Sequence, residues 1–471
     1  MKARTVIPIL AMPAVPAPST GRLATVGRWL RDHATLLRRL QWAVVLVYAA
    51  LLVIPALLPL PDDSARMLNN LTIFAQFVFW GIWWPFVLLS MVLFGRIWCG
   101  VLCPEGALTE WAAQKGLGRP IPRWMRWGGW PFVAFVLTTV YGQMVSVYQY
   151  PQAALLVLGG STVAAVAVGW VYTKGKRAWC RHLCPVNGVF ALLAKLAPMA
   201  YRVDEARWAA SAHHTHSAVN CAPLQPLRHM QGGSGCHMCG RCSDHRDAIQ
   251  LQARSPADEV LRVAAKEADG WQTALIVFGL LGVAIGAFHW TVSPWFVALK
   301  QGAAEWLIEH DILWPLDTDI PWWLLTHYPQ YNDVFSWLDG ASLLAYVALT
   351  ALAMGGGLLL CLAAAVALAG GWRRQRLHHL AQSLIPLAGC GVFLGLSALT
   401  VTLLKAEGVD MHWANTLRLT LLTAASAWSA WLAWRILGQW SHGARRALAS
   451  LPMLAALGWV GMAWGWMFWW W

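Results

Sequence analysis

Charge is scarce in this 471-residue chain. Asp, Glu, Lys and Arg make up 12% of it, and only 22 residues are acidic against 35 Lys and Arg. Beside 58% hydrophobic residues, that deficit excludes a string of soluble domains and a disordered chain. The chain also lacks the even cysteine spread of a secreted disulfide scaffold: eight of its ten cysteines fall between Cys99 and Cys242, in short steps. No Gly-rich nucleotide loop or Ser-His-Asp arrangement stands out, and the composition argues against a nucleic-acid partner. Pro8, Pro13, Pro16 and Pro18 interrupt the first apolar run, and Arg22, Arg28, Arg31, Arg38 and Arg39 follow it. Residues 1–40 therefore read as a retained, basic cytoplasmic tail rather than a cleaved signal.

Long apolar runs are what the chain has in abundance. At 1.5 Å rise per residue, about 20 residues cross a hydrocarbon core of about 30 Å. Nine runs qualify, near residues 41–60, 71–95, 130–148, 152–172, 271–292, 341–370, 383–404, 415–434 and 451–471. With the N-terminus inside, the inner segments hold 31 Lys and Arg against 11 Asp and Glu, and the outer segments 4 against 11. This bias predicts an all-α, nine-span protein of a bacterial inner membrane, with its N-terminus inside and C-terminus outside. The 33 Trp suit its interfaces. Membrane lipid is thus the first expected partner. The domain reading is a four-helix membrane core over 41–200, a cytoplasmic segment over 201–270, and a five-helix membrane domain over 271–471. Its outer loop, 293–340, is acidic and Trp-rich and reads as interfacial helices or turns.

The eight clustered cysteines all fall in inner segments, where a reducing cytoplasm favours metal-bound thiolates over lasting disulfides. Cys99-Gly-Val-Leu-Cys103-Pro104 follows the second span, and Cys180-Arg-His-Leu-Cys184-Pro185 follows the fourth. Arg96-Ile-Trp98 and Arg177-Ala-Trp179 precede them, so a helix pair and its motif occur twice. Cysteines four apart can share one helical face, and the topology places both pairs at one depth. Four convergent thiolates are the usual protein contribution to a [4Fe-4S] cluster, and zinc would accept them as well.

The third group, Cys236-His-Met-Cys239-Gly-Arg-Cys242, supplies the first three ligands of a bacterial ferredoxin run. Its fourth cysteine is missing: Ser243, Asp244, His245, Arg246 and Asp247 follow. Cys221 is the nearest spare thiol and could reach back across Gly232, Gly233 and Gly235, with Asp244, His245 or an open iron as alternatives. A [3Fe-4S] centre at this run stays open beside [4Fe-4S]. Eight cysteines make two four-thiolate sites with none left over. Cys361 and Cys390, alone in apolar spans, read as structural.

Motif, spacing and topology over about residues 40–260 resemble the polytopic membrane ferredoxins, a family that includes NapH, NosR and CcoG. The resemblance implies electron transfer through iron–sulfur centres at the cytoplasmic membrane face, serving a respiratory or metalloenzyme-maturation system. Two features depart from it. The ferredoxin run is truncated, and the five spans after residue 270 have no counterpart in the family pattern.

Haem would need His pairs at matched depth inside facing spans, and these are lacking, so haem is not expected. His289 with His327 or His412 is the remaining outer-face candidate for haem or copper, whereas His378 and His379 stand at an inner end. His213, His214, His216, His229-Met230 and His237-Met238 would suit copper, so copper handling for oxidase assembly stands as an alternative function. A redox-gated permease ranks third, since the membrane interior carries almost no charge. The leading expectation is an electron-transfer subunit fed by quinol or a cytoplasmic donor, acting on an unidentified redox partner protein. Its centres would be Cys99, Cys103, Cys180 and Cys184 in one set and Cys221, Cys236, Cys239 and Cys242 in the other. No catalytic residue is expected beyond these ligands.

Overall fold

The computed structural model describes residues 21–62, 64–211 and 216–471. Most of that chain is helical, and seven helices are long and apolar enough to cross a membrane. In chain order the main helices are α1 (Arg22–Asp32), α2 (Ala34–Leu57), α3 (Leu71–Phe94), α4 (Pro104–Lys115), α5 (Trp130–Met144), α6 (Pro151–Val171), α7 (Ala178–His182), α8 (Asn187–Leu193), α9 (Glu205–Ala210), α10 (Gly270–His289), α11 (Pro294–Glu309), α12 (Trp337–Leu368), α13 (Arg374–Ala406), α14 (Trp413–Leu437) and α15 (Gly443–Trp470). The seven are α2, α3, α6, α10, α12, α13 and α15.

Two of the nine expected spans fall outside that set. The run 130–148 is helical only to Met144, because Val145–Gln149 turns, with Ser146 at a φ of 51°. Fifteen helical residues span about 22 Å, short of a hydrocarbon core. The run 415–434 does form a long helix, α14, but Arg418, Arg435 and several hydroxyl residues make it less apolar. At the N-terminus the expected tail is not a tail throughout: Arg22–Asp32 is amphipathic, buries Ala24, Gly27 and Leu30, and runs almost directly into α2.

α10 sits at the centre, nearly fully buried, with α12 and α13 against it. Gly282 and Gly286 face α12 closely; a Cβ there would lie 2.9 Å from Ala351 Cα and 3.1 Å from Val347 Cα. Small residues spaced four apart let two backbones approach where lipid supplies no hydrophobic drive between helices. α11, after the Ser293 N-cap, buries no residue, in keeping with a surface helix in the Trp-rich stretch.

A two-stranded antiparallel ladder, β1 (Met199–Val203) with β2 (Ile249–Ala253), closes the base of the cysteine-rich segment. Its Tyr201, Ile249 and Leu251 pack with Met230, Met238, Cys236 and Cys242 in a small separate core. A second ladder, His327–Tyr328 with Asp333–Val334, belongs to the 293–340 stretch.

Candidate metal centres

Each C-x3-C-P pair straddles a break between two helical segments and does not lie on one helical face. Cys99 lies in a π turn, Trp98–Leu102, while Cys103 is extended (φ −63°, ψ 120°) and caps α4. Cys180 is in α7, and Cys184 follows the helix end. The cause at Cys103 is Pro104, whose ring drives the preceding residue out of the α region while fitting the first turn of the next helix. The freed Gly106 N–H points at Cys103 Sγ, 3.4 Å away.

The four thiols Cys99, Cys103, Cys180 and Cys184 line one cavity of about 220 Å³. Aromatic residues, Tyr48, Phe79, Trp80, Trp83, Trp84 and Tyr148 among them, make up part of the remaining wall, with aliphatic side chains and the polar Arg96, Glu105, Thr138, Thr139 and Ser161. Cys221, Cys236, Cys239 and Cys242 line a second, smaller cavity together. Neither alternative fourth ligand lies there: Asp244 pairs with Arg28 and Arg31 (3.8 and 3.6 Å), and His245 meets Trp208 and His216 edge to face. Met238 N–H points at Cys236 Sγ, 3.4 Å away, as Gly106 does at Cys103. Among the described residues no group of three His, Cys, Asp or Glu could hold a single metal ion.

The two thiol sets abut. Gly100, next to Cys99, lies so close to the third motif that a Cβ would stand 1.9 Å from the His237 carbonyl oxygen and 3.0 Å from the Cys239 nitrogen. Only glycine permits that approach. The two motif arginines fasten the same junction in reciprocal fashion. Arg96 of the first motif donates to the Ser234 carbonyl (2.9 Å) and to Asn187 Oδ1 (2.7 Å), at the start of α8. Arg177 of the second motif donates to the Cys99 carbonyl, and its Nε donates to Glu110 Oε2 (2.8 Å). Its backbone N–H donates to the Ala222 carbonyl (2.8 Å), beside Cys221. Glu110 also holds Arg241 (2.7 Å), next to Cys242. Sequence reading had these arginines only as part of the repeated motif; their cross-links depend on which loops meet, which periodicity does not carry.

Burial pushes the Cys180 and Cys236 thiols up to about 12 and Cys103, Cys184 and Cys242 well above the ordinary thiol value. Uncharged thiols of this kind ionise only when metal displaces the proton. Glu105, beside Cys103, is likewise pushed up by burial, while Ser161 Oγ (2.7 Å) and Trp179 Nε1 (3.0 Å) donate to it. Two guanidinium donors, Arg96 Nε and Arg177 Nη2, and the ring nitrogen His237 Nδ1 are buried around the two sets without a partner. A cluster whose bridging sulfides accept N–H donors fits such a surround, since unpaired buried donors are otherwise costly.

Comparison with known proteins finds an iron–sulfur domain in part of this chain. A 4Fe-4S binding domain matches residues 76–127 and 156–203, which bracket both C-x3-C-P motifs. Over these residues the chain is similar to ferredoxin-type electron-transfer proteins. Similar proteins include the electron transport protein YccM of Escherichia coli, 21% identical over 226 residues, covering 43% of this chain and 62% of YccM. The ferredoxin-type protein NapH of Haemophilus influenzae is 27% identical over 183 residues, covering 34% and 62%. The methylamine utilization ferredoxin-type protein MauN of Methylorubrum extorquens is 25% identical over 122 residues, covering 23% and 42%. The chain thus spans between 42 and 62% of the length of these relatives. No solved structure matches it.

Outside the domain match, α1 covers the third motif. Gly240 (φ 78°) lies against α1, where a Cβ would stand 2.4 Å from Leu30 Cβ, and Arg31 Nη1 donates to the Ser243 carbonyl (2.9 Å). The signal for α1 was the apolar spacing Ala24, Gly27, Leu30 within a run read for its charge alone. Of the histidines, His213 and His214 lie outside the described residues, and His216 and His229 are exposed. His289 is buried against Trp464 and Trp471, while His412 is exposed beside Asp410. Cys361 and Cys390 sit half-buried in α12 and α13.

Proposed function

We propose that the chain is a membrane-bound electron-transfer subunit with two iron–sulfur clusters in series. Cys99, Cys103, Cys180 and Cys184 hold the first as [4Fe-4S]. Cys221, Cys236, Cys239 and Cys242 hold the second, also as [4Fe-4S]. The abutment of Gly100 on the His237–Cys239 backbone carries this reading, because it leaves no room for another element between the two sets. The topology that goes with it is nine spans: α14 and α5, the latter extended across the bilayer by the Val145–Gln149 turn that follows it, join the seven long apolar helices. The N-terminus and the cysteine motifs then face the cytoplasm across a bacterial inner membrane.

Electrons enter from quinol or a cytoplasmic donor and leave to a respiratory or metalloenzyme-maturation partner. The aromatic part of the first cavity's wall and the unpartnered Trp84 Nε1 in it support quinol, whose ring would stack there and whose oxygen would accept that N–H. The fitted cofactor supplies one-electron redox chemistry; the chain's residues hold it, exclude water and supply N–H donors to it. Cys239→Ser and Cys103→Ser test the assignment separately. Each variant should retain about half of the wild-type iron, because a [4Fe-4S] centre holds about four of the eight. Full iron in both variants would sink the ligand sets.

A further inference from the structure

At the end of the bundle where the cysteine-rich segment sits, an open cavity of about 600 Å³ lies between that segment and the last two helices. One wall is Ser255–Arg262, which follows β2; the other is the end of α14 and the start of α15. Arg262, Arg435 and Arg446 all line it, and Asp258 is its only acidic residue. That carboxylate is engaged by Arg202 and Arg262. Arg435 forms no ion pair or hydrogen bond among the described residues; its guanidinium rests over the Trp431 ring, 5.5 Å from the centroid. Arg446 rests over Trp434 at 3.9 Å and donates to the Trp434 carbonyl. Gln439 Nε2 donates to the Leu261 carbonyl (3.1 Å) and ties the two walls.

We propose that this cavity binds the phosphate headgroup of an anionic phospholipid. A free cation held over an indole, a second cation fixed beside it and almost no opposing charge suit a phosphate oxygen. The exposed faces around the opening favour a lipid over a free ion: Trp431 and Trp434 on α14 and Leu448 and Leu451 on α15 offer an apolar path for acyl chains. Basic pockets between membrane helices, flanked by Trp, recur as headgroup sites. The bound lipid would staple the final hairpin to the cysteine-rich segment. It would give residues 413–471 a structural part in holding that segment on the membrane, independent of the cluster assignment.

The test uses the full chain, delipidated in neutral detergent, with native mass spectrometry of added phosphatidylglycerol, phosphatidylcholine or inorganic phosphate. Phosphatidylglycerol should bind about one per chain, and Arg435→Gln should weaken it by about fivefold, the worth of one basic side chain near an anionic headgroup. Arg445→Gln, which removes a guanidinium bonded to the Leu368 carbonyl and outside the cavity lining, should leave binding unchanged and reports that the fold is intact. Equal binding of phosphatidylcholine, or full binding in Arg435→Gln, overturns the proposal. Inorganic phosphate binding as tightly as phosphatidylglycerol would assign the site to a free ion and overturn it too.

Discussion

Arg177→Gln is the substitution that should move both centres at once. The Arg177 side chain is 1% exposed, and it links the Cys99 carbonyl to Glu110, three residues before Cys180 and beside Cys221 through Ala222. Removing one partner of a buried ion pair costs about 3–5 kcal/mol. Here Arg241 still compensates Glu110, so about 3 kcal/mol is expected. The electrostatic effect is separate. A unit charge at about 8 Å and an effective dielectric of about 20 contributes roughly 2 kcal/mol, or roughly 90 mV for a one-electron couple. Loss of a cation disfavours the reduced, more negative cluster, so both potentials should fall by that order. Glu110→Gln should raise them, since it removes an anion from the same junction. EPR-monitored redox titration of the anaerobically purified protein reads both variants. Unchanged potentials in the two, or shifts of one sign in both, would refute the placement of Arg177 between the clusters.

Gly100→Ala should weaken the junction by about 1–3 kcal/mol, as overpacking does, and reduce magnetic coupling between the two reduced clusters in EPR spectra. Leu30→Ser, in the helix that covers Gly240, should leave iron content intact on isolation and speed loss of the second cluster's signal in air; an unchanged rate would show that α1 gives it no cover. Burial would raise the Glu110 carboxyl, but Arg177 and Arg241 hold it below the usual carboxylate range. A depressed folded value contributes stability above the unfolded pKa of about 4.3 and loses it as pH falls through the folded value. Acidification below about pH 4 should therefore destabilise wild type more than Glu110→Gln, read as thermal midpoint against pH.

Much of the candidate site was legible from spacing alone. Repeated C-x3-C-P motifs and a C-x2-C-x2-C run announce thiolate chemistry, and counting thiols pairs Cys221 with the third group, with which it lines one cavity. What spacing misjudged was local geometry: periodicity put Cys99 and Cys103 on one helix face, but Pro104 breaks the helix between them. Hydropathy found α2, α3, α6, α10, α12, α13 and α15, because a lipid-crossing helix is a local property of its own residues. It overran α5, which ends in a turn, Val145–Gln149, that carries no charge to mark the boundary. The roles of Arg96, Arg177 and Glu110 were out of reach, since each depends on loops far apart in sequence that meet only in the folded chain.

The most direct measurement of the central claim is iron and acid-labile sulfide content, with copper and zinc, on one anaerobic preparation whose reduced EPR spectrum is recorded. Two clusters in series predict about eight iron and about eight sulfide per chain, with two mutually broadened signals. About four iron with stoichiometric copper or zinc, and a single unbroadened signal, would contradict it.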